Sequence, residues 1–188
     1  MGLAAMRSFE EDLQSAIAYH GHVCSGVVLG VRMARLGLKK LGIEEPHCYR
    51  DLIVYLEVDR CLSDAVQTVS GCTLGKRRLK LLDYGKLAAT FVDISTNKAV
   101  RLAVVAEDLP QEGEDPVAFW QGVADEDIFK VENVLLEIRP EDLPGKPLRR
   151  VVCSSCGEAV LDGRELIKNG ETLCFSCANT PYYRMMPK

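Results

Sequence analysis

The strongest constraint on this fold comes from four cysteines near the end of the chain. Cys153-Ser154-Ser155-Cys156 and Cys174-Phe175-Ser176-Cys177 are separated by seventeen residues. Each pair can bend a knuckle that presents two thiolates, and two knuckles complete a tetrahedral shell for zinc. A segment this short cannot stabilise itself by core burial, whereas zinc binding supplies ~10–16 kcal/mol of folding free energy. A redox couple would need only one C-x-x-C pair. The spacing therefore predicts structural zinc on Cys153, Cys156, Cys174 and Cys177, in a small zinc-ribbon or treble-clef-like module.

The stretch just upstream, Pro140-Glu141-Asp142-Leu143-Pro144-Gly145-Lys146-Pro147-Leu148-Arg149, is too rich in proline for a regular element. It marks a boundary, giving a core domain over 1–139, a linker over 140–149 and a zinc-finger domain over 150–188. From Arg149 onward six Lys/Arg face four acids. Four thiolates and one Zn²⁺ offset that excess, so the module lacks the basic footprint of a nucleic-acid binder. A structural or protein-docking role is expected.

The remaining chain has the composition of a folded domain, with 47% hydrophobic residues and a net charge of −4. No run is apolar enough to span a membrane, and the N-terminus lacks a leader or, because of Met6, a myristoylation pattern. A cytoplasmic protein is expected, where eight cysteines point to metal or catalytic thiols more than to disulfides.

Helical periodicity places one helix over 9–20 behind a Ser8 cap and a stronger one over 25–41, capped at Ser25 and stopped by Gly42. Gly26 and Gly30 would admit a neighbouring element closely. Alternation over 51–61 predicts a strand, with Glu57, Asp59 and Cys61 on its second face, either towards water or lining a cleft. A short helix over 62–70 follows, then a glycine-punctuated loop. Residues 87–94 and 99–106 form an antiparallel hairpin, 107–116 a loop, 117–129 a helix and 132–139 a strand. Together these give an α+β class: a mixed or antiparallel sheet with packed helices.

Function in this domain centres on Tyr19-His20-Gly21-His22-Val23-Cys24-Ser25-Gly26, which holds two of the three histidines. Soft ligands placed where a turn becomes a helix suit a metal or an activated thiol. Cys61 and Cys72 are its long-range candidates. A His/Cys/Cys set would bind zinc or iron and leave a position for water or substrate, with Asp59 or Asp64 orienting an imidazole or acting as base. The opposing reading makes these cysteines small buried hydrophobes and the histidines satisfied polar groups. The Gly71–Lys76 loop fails the phosphate-loop pattern in spacing and in having Arg77 after the lysine; a generic anion site remains open.

Four blocks resemble the FmdE family, named for formylmethanofuran dehydrogenase: Tyr19–Gly26, Cys61–Gln67, Ser70–Lys76 and Asp83–Lys86. The likeness covers roughly residues 10–140, and some family members carry a C-terminal zinc finger. It implies an α+β core forming intertwined dimers around a His/Cys cleft. By position it implicates His20, His22, Cys24, Cys61, Cys72, Asp64, Lys76, Asp83 and Lys86. On this basis the expected core-metal ligands are His22, Cys24 and Cys61, with His20 and Cys72 nearby as further candidates, for zinc or iron. The catalytic candidates are Cys24, Cys61 and Asp64, and the cofactor-binding candidates are Lys76 and Lys86. Departures are Ser25 in place of the family's proline and the cationic Arg77-Arg78 pair. The resemblance implies an accessory or partner protein for molybdopterin or tungstopterin enzymes of one-carbon metabolism. Two alternatives stand beside it: a thiol- or metal-dependent enzyme in its own right, and a zinc-finger docking or regulatory protein.

Overall fold

A computed structural model describes residues 7–186. The N-terminal reading at Met6 and the charge of Lys188 fall outside them. The chain forms two compact units that divide between Glu137 and Ile138.

In the first unit, α1 (Phe9–His20) starts from a reciprocal capping box. The Ser8 hydroxyl accepts from the Glu11 N–H, and the Glu11 carboxylate accepts from the Ser8 N–H. α2 (Ser25–Leu41) buries Val27, Val28, Val31, Ala34 and Leu38 as its periodicity predicts, and Gly42 ends it. Its cap is Cys24 rather than Ser25. α3 (Cys61–Ser70) packs along α2 at close range, because α2 presents glycine to it. A Cβ added at Gly30 would lie 2.6 Å from the Leu62 carbonyl. One further glycine, Gly37, makes room for the Phe91 ring.

The sheet has the order β2-β1-β3-β4-β5, from β1 (Leu52–Leu56), β2 (Leu79–Leu81), β3 (Ala88–Asp93), β4 (Lys98–Val104) and β5 (Phe129–Val134). β1 and β2 are parallel and the other neighbours antiparallel, so the unit is a mixed-sheet α+β fold. Leu52, Val54, Leu56, Phe91, Val100 and Leu102 join the helices in one buried core. Burying each such side chain is worth roughly 1.5–3 kcal/mol.

The structure corrects several local expectations. β1 ends at Leu56 instead of running to Cys61. Beyond it the Glu57 carbonyl accepts from Tyr84 and Lys86 N–H groups, and Cys61 opens α3. Glu57, Asp59 and Cys61 therefore do not share a strand face. The helix read over 117–129 is two short turns, α4 (Pro116–Gln121) and α5 (Asp125–Ile128), interrupted at Gly122. β5 begins three residues earlier than the strand expected from 132. β2 was not expected.

The second unit holds two small hairpins, β6 (Arg150–Val152) with β7 (Ala159–Leu161) and β8 (Leu166–Lys168) with β9 (Glu171–Leu173), followed by α6 (Phe175–Ala178). The proline-rich stretch carries one 3-10 turn, Pro140–Asp142. Asp142 is ion-paired to Arg139 and Arg164, and the Leu148 N–H donates to buried Asp162. Among the described residues, no helix is long and apolar enough to cross a membrane.

Candidate metal centres

The C-terminal centre is built from its two knuckles. One sulfur from each of Cys153, Cys156, Cys174 and Cys177 lies within 4.8 Å of the others, and the Cys156 and Cys174 sulfurs are 3.9 Å apart. Backbone N–H groups of Cys156 and Cys174 hold the Cys153 thiol down at about 6. Against a backbone N–H from Glu158, burial and the surrounding thiols push Cys156 up to about 12. Four thiols this close cannot all ionise alone; a divalent cation supplies the missing charge, and four sulfurs select zinc.

The N-terminal centre begins where α1 ends. Gly21 takes φ +100°, a conformation open to glycine and rarely to other residues. The chain then folds His22 back against His20, with ring centroids 4.5 Å apart. Cys24 follows as the cap of α2. One donor atom each from His20, His22 and Cys24 lies within 4.8 Å of the other two.

His20 carries the most telling detail. Its Nδ1 is 2.8 Å from an Asp64 carboxylate oxygen. Its Nε2 is buried and has no hydrogen-bond partner. Buried polar atoms are nearly always satisfied, so an orphan beside a thiol and a second imidazole needs a reason. A carboxylate that accepts a hydrogen bond from Nδ1–H fixes the tautomer whose Nε2 lone pair is free, the arrangement that orients metal-bound imidazoles. The donor chemistry thus fits a borderline-soft cation such as zinc or ferrous iron.

Beside this trio lies a cleft of about 470 Å³ walled by His20, Asp59, Cys61, Asp64 and Gln67 over a leucine floor that includes Leu56 and Leu79. Gln67, one turn beyond Asp64 on α3, donates to the Tyr19 hydroxyl. Gln67 was not singled out from sequence; its three-residue spacing from Asp64 is the signal that places both on one helix face. Cys61 sits outside the tight trio but beside Cys24. Burial first, and then the Cys24 thiol, push its own thiol up.

Other expected residues lie elsewhere. Cys72 is fully buried in the core, its sulfur 3.6 Å from the Leu52 carbonyl, and burial pushes its thiol up. It behaves as a packed hydrophobe, not as a member of the trio. Glu57 is salt-bridged to Arg101 and lines a separate cavity with Tyr55 and Thr90. Lys76 lies exposed in the turn after α3, and Lys86 leans 5.9 Å over the Tyr84 ring. Neither lysine walls the cleft beside His20. Asp83 accepts from the Gly85 N–H in an exposed turn.

Known proteins match both regions. Residues 19–129 match the family described as FmdE, molybdenum formylmethanofuran dehydrogenase operon, and residues 146–183 match the prokaryotic dksA/traR C4-type zinc finger. A probable S-adenosyl-L-methionine-binding protein of Archaeoglobus fulgidus is 35% identical over 90% of this chain. The chain spans only 53% of that relative's length. The crystal structure of a tungsten formylmethanofuran dehydrogenase FmdE-like protein from Syntrophus aciditrophicus is 26% identical, with a TM-score of 0.61. That match covers 97% of this chain and 100% of the other. With a family match across most of the first unit and a four-cysteine cluster in the second, this chain belongs to the FmdE family and ends in a C4-type zinc finger.

Proposed function

We propose that the first unit is a metal-binding device in which His20, His22 and Cys24 hold zinc or iron, with Asp64 positioning His20. The protein would serve as an accessory component of a molybdopterin- or tungstopterin-dependent enzyme of one-carbon redox metabolism. The observation that carries the metal reading is the orphaned, buried Nε2 of His20 beside two further donors, with its other nitrogen on a carboxylate. Three protein ligands leave a tetrahedral cation one position for water or an incoming group. The cleft beside His20 gives such a group a place to sit.

In this reading Cys24 is a ligand, Cys61 flanks it from α3, and Asp64 acts through His20. Bound metal would supply Lewis acidity there; the chain supplies orientation and a partly water-excluded wall. The family connection supports the partner role, and pairing of two copies of this chain belongs to the same proposal. Lys76 and Lys86 lie outside the cleft beside His20.

Cobalt(II) substitution tests the centre. Cobalt added to the full-length protein, with zinc already in the C-terminal module, should give thiolate charge-transfer absorption that Cys24→Ser abolishes and His22→Ala weakens. No absorption in the wild type would sink the metal reading. Anaerobic co-purification with the components of a formylmethanofuran dehydrogenase-type enzyme tests the partner role; failure to form a complex with metal-loaded protein counts against it.

A second reading, catalysis at this centre, is favoured by one observation: the cleft brings Asp59, Cys61 and His20 to a common wall. Fast alkylation confined to one of Cys24 and Cys61 at neutral pH would support it, and uniformly slow labelling would oppose it.

A further inference from the structure

The start of α2 and the start of α3 meet where α2 has no side chain. A Cβ added at Gly26 would come within 2.8 Å of the Cys61 Cβ and 3.8 Å of the Cys24 sulfur. Gly26 is therefore the gap across which the two cysteines face each other. Both are half-buried, and Cys61 opens onto the cleft. Core cysteines elsewhere have no such neighbour: Cys72 is sealed in the interior, and Cys48 lies exposed on the rim of another cavity beside His47.

Resting on the metal reading above, we propose that Cys24 and Cys61 form a reversible disulfide, installed by a peroxide, which removes Cys24 from the donor set and releases the core metal. The chemistry balances with hydrogen peroxide as the two-electron oxidant. The Cys24 thiolate sulfur attacks one peroxide oxygen; the O–O bond breaks, giving a sulfenic acid, and the departing hydroxide takes up the proton that the Cys24 thiol had given up and leaves as water. The Cys61 sulfur then attacks the Cys24 sulfur. The S–O bond breaks, and the Cys61 proton leaves with the hydroxyl group as a second water. Two thiols and one peroxide become one disulfide and two waters. A thiolate ligand is lost, and two imidazoles alone hold a divalent cation poorly. Reduction by a dithiol restores the set. Metal and disulfide both need the Cys24 sulfur, so they exclude one another.

The test uses the full-length chain, treated with increments of hydrogen peroxide and followed by non-reducing peptide mapping and metal counting. A Cys24–Cys61 cross-linked peptide should appear before any link through Cys48 or Cys72. One metal per chain should leave with it, and dithiothreitol should reverse both changes. Cys61→Ser should form no cross-link and should instead accumulate the Cys24 sulfenic acid, trapped by dimedone at the same doses. Gly26→Ala, which wedges the two residues apart, should cross-link more slowly while the C-terminal module keeps its zinc. Over-oxidation of Cys24 without a cross-link, or a link to another cysteine, overturns the proposal even when the reduced protein carries a core metal. A cross-link in a protein whose reduced core holds no metal instead overturns the metal reading and, with it, the release step.

Discussion

At the C-terminus four cysteines converge with almost nothing apolar beneath them: the buried positions described there are Cys153, Asp162 and Ala178. Near the N-terminus three donors converge on the end of a capped helix that already belongs to an extensive core. The same element, cysteine sulfur, therefore does different work in the two places. In the module it replaces a core, and all four ligand positions are used. In the first unit packing holds the fold, and on the proposed reading three candidate ligands would sit on it with one position to spare. Metal should be a condition of folding in one region and an occupant of a finished scaffold in the other.

The largest expected effect breaks the module alone. Cys174→Ser should forfeit most of the ~10–16 kcal/mol that zinc couples to folding. Hydrogen exchange should then become fast from Arg150 to Ala178 while α1, α2 and α3 stay protected. Loss of protection in α2 would show that the first unit also depends on that zinc.

The converse variant attacks packing. Gly30→Ala drives a Cβ to 2.6 Å from a backbone carbonyl on α3, so the two helices must part. The expected cost is about 1–3 kcal/mol in denaturant unfolding of the core, with zinc retained in the module. No change in the core midpoint would contradict the close-packed seam.

Asp64→Asn separates site from scaffold. Loss of a carboxylate behind a metal-bound imidazole typically costs ~10–100-fold in affinity. Core metal affinity should fall by that order, with little change in thermal midpoint. A large loss of stability at unchanged affinity would make Asp64 structural instead.

The smallest effect concerns acid. Arg101 donates to Glu57 and holds its carboxyl below the usual carboxylate range. A depressed folded value means that this pair stabilises the core at neutral pH and stops doing so as pH falls through that depressed value. Glu57→Gln should therefore cost about 1 kcal/mol at pH 7, a difference that vanishes in strong acid. The module should fail at higher pH, where protons compete with zinc for thiolates.

The first two helices were legible because a capping box, a glycine stop and an apolar stripe all agreed over 9–20 and 25–41. The zinc ligands were legible because their spacing is the structure. Cys61 was harder to place: alternation runs unbroken from Leu52 to Val58, and only the turn at 82–88, which claims the Glu57 carbonyl, ends the strand early. β2 has three residues and pairs in parallel through a crossover by α3, a tertiary event with no local signature. Cys72 resembled a ligand by residue type. Its burial follows from packing after Gly71, where the sulfur meets the Leu52 carbonyl across the core. His22 and Cys24 were legible as donors, but the sequence favoured Cys61 as their third member over His20; the His20–Asp64 contact that sets His20 in place needed α3 laid against α1.

Counting metal in the intact, reduced protein tests the difference between the two regions most directly. Native mass spectrometry after anaerobic loading with zinc or ferrous iron should find two metals per chain, falling to one in Cys24→Ser with the module still folded. One metal per chain in the loaded wild type, all of it on Cys153, Cys156, Cys174 and Cys177, would contradict the account.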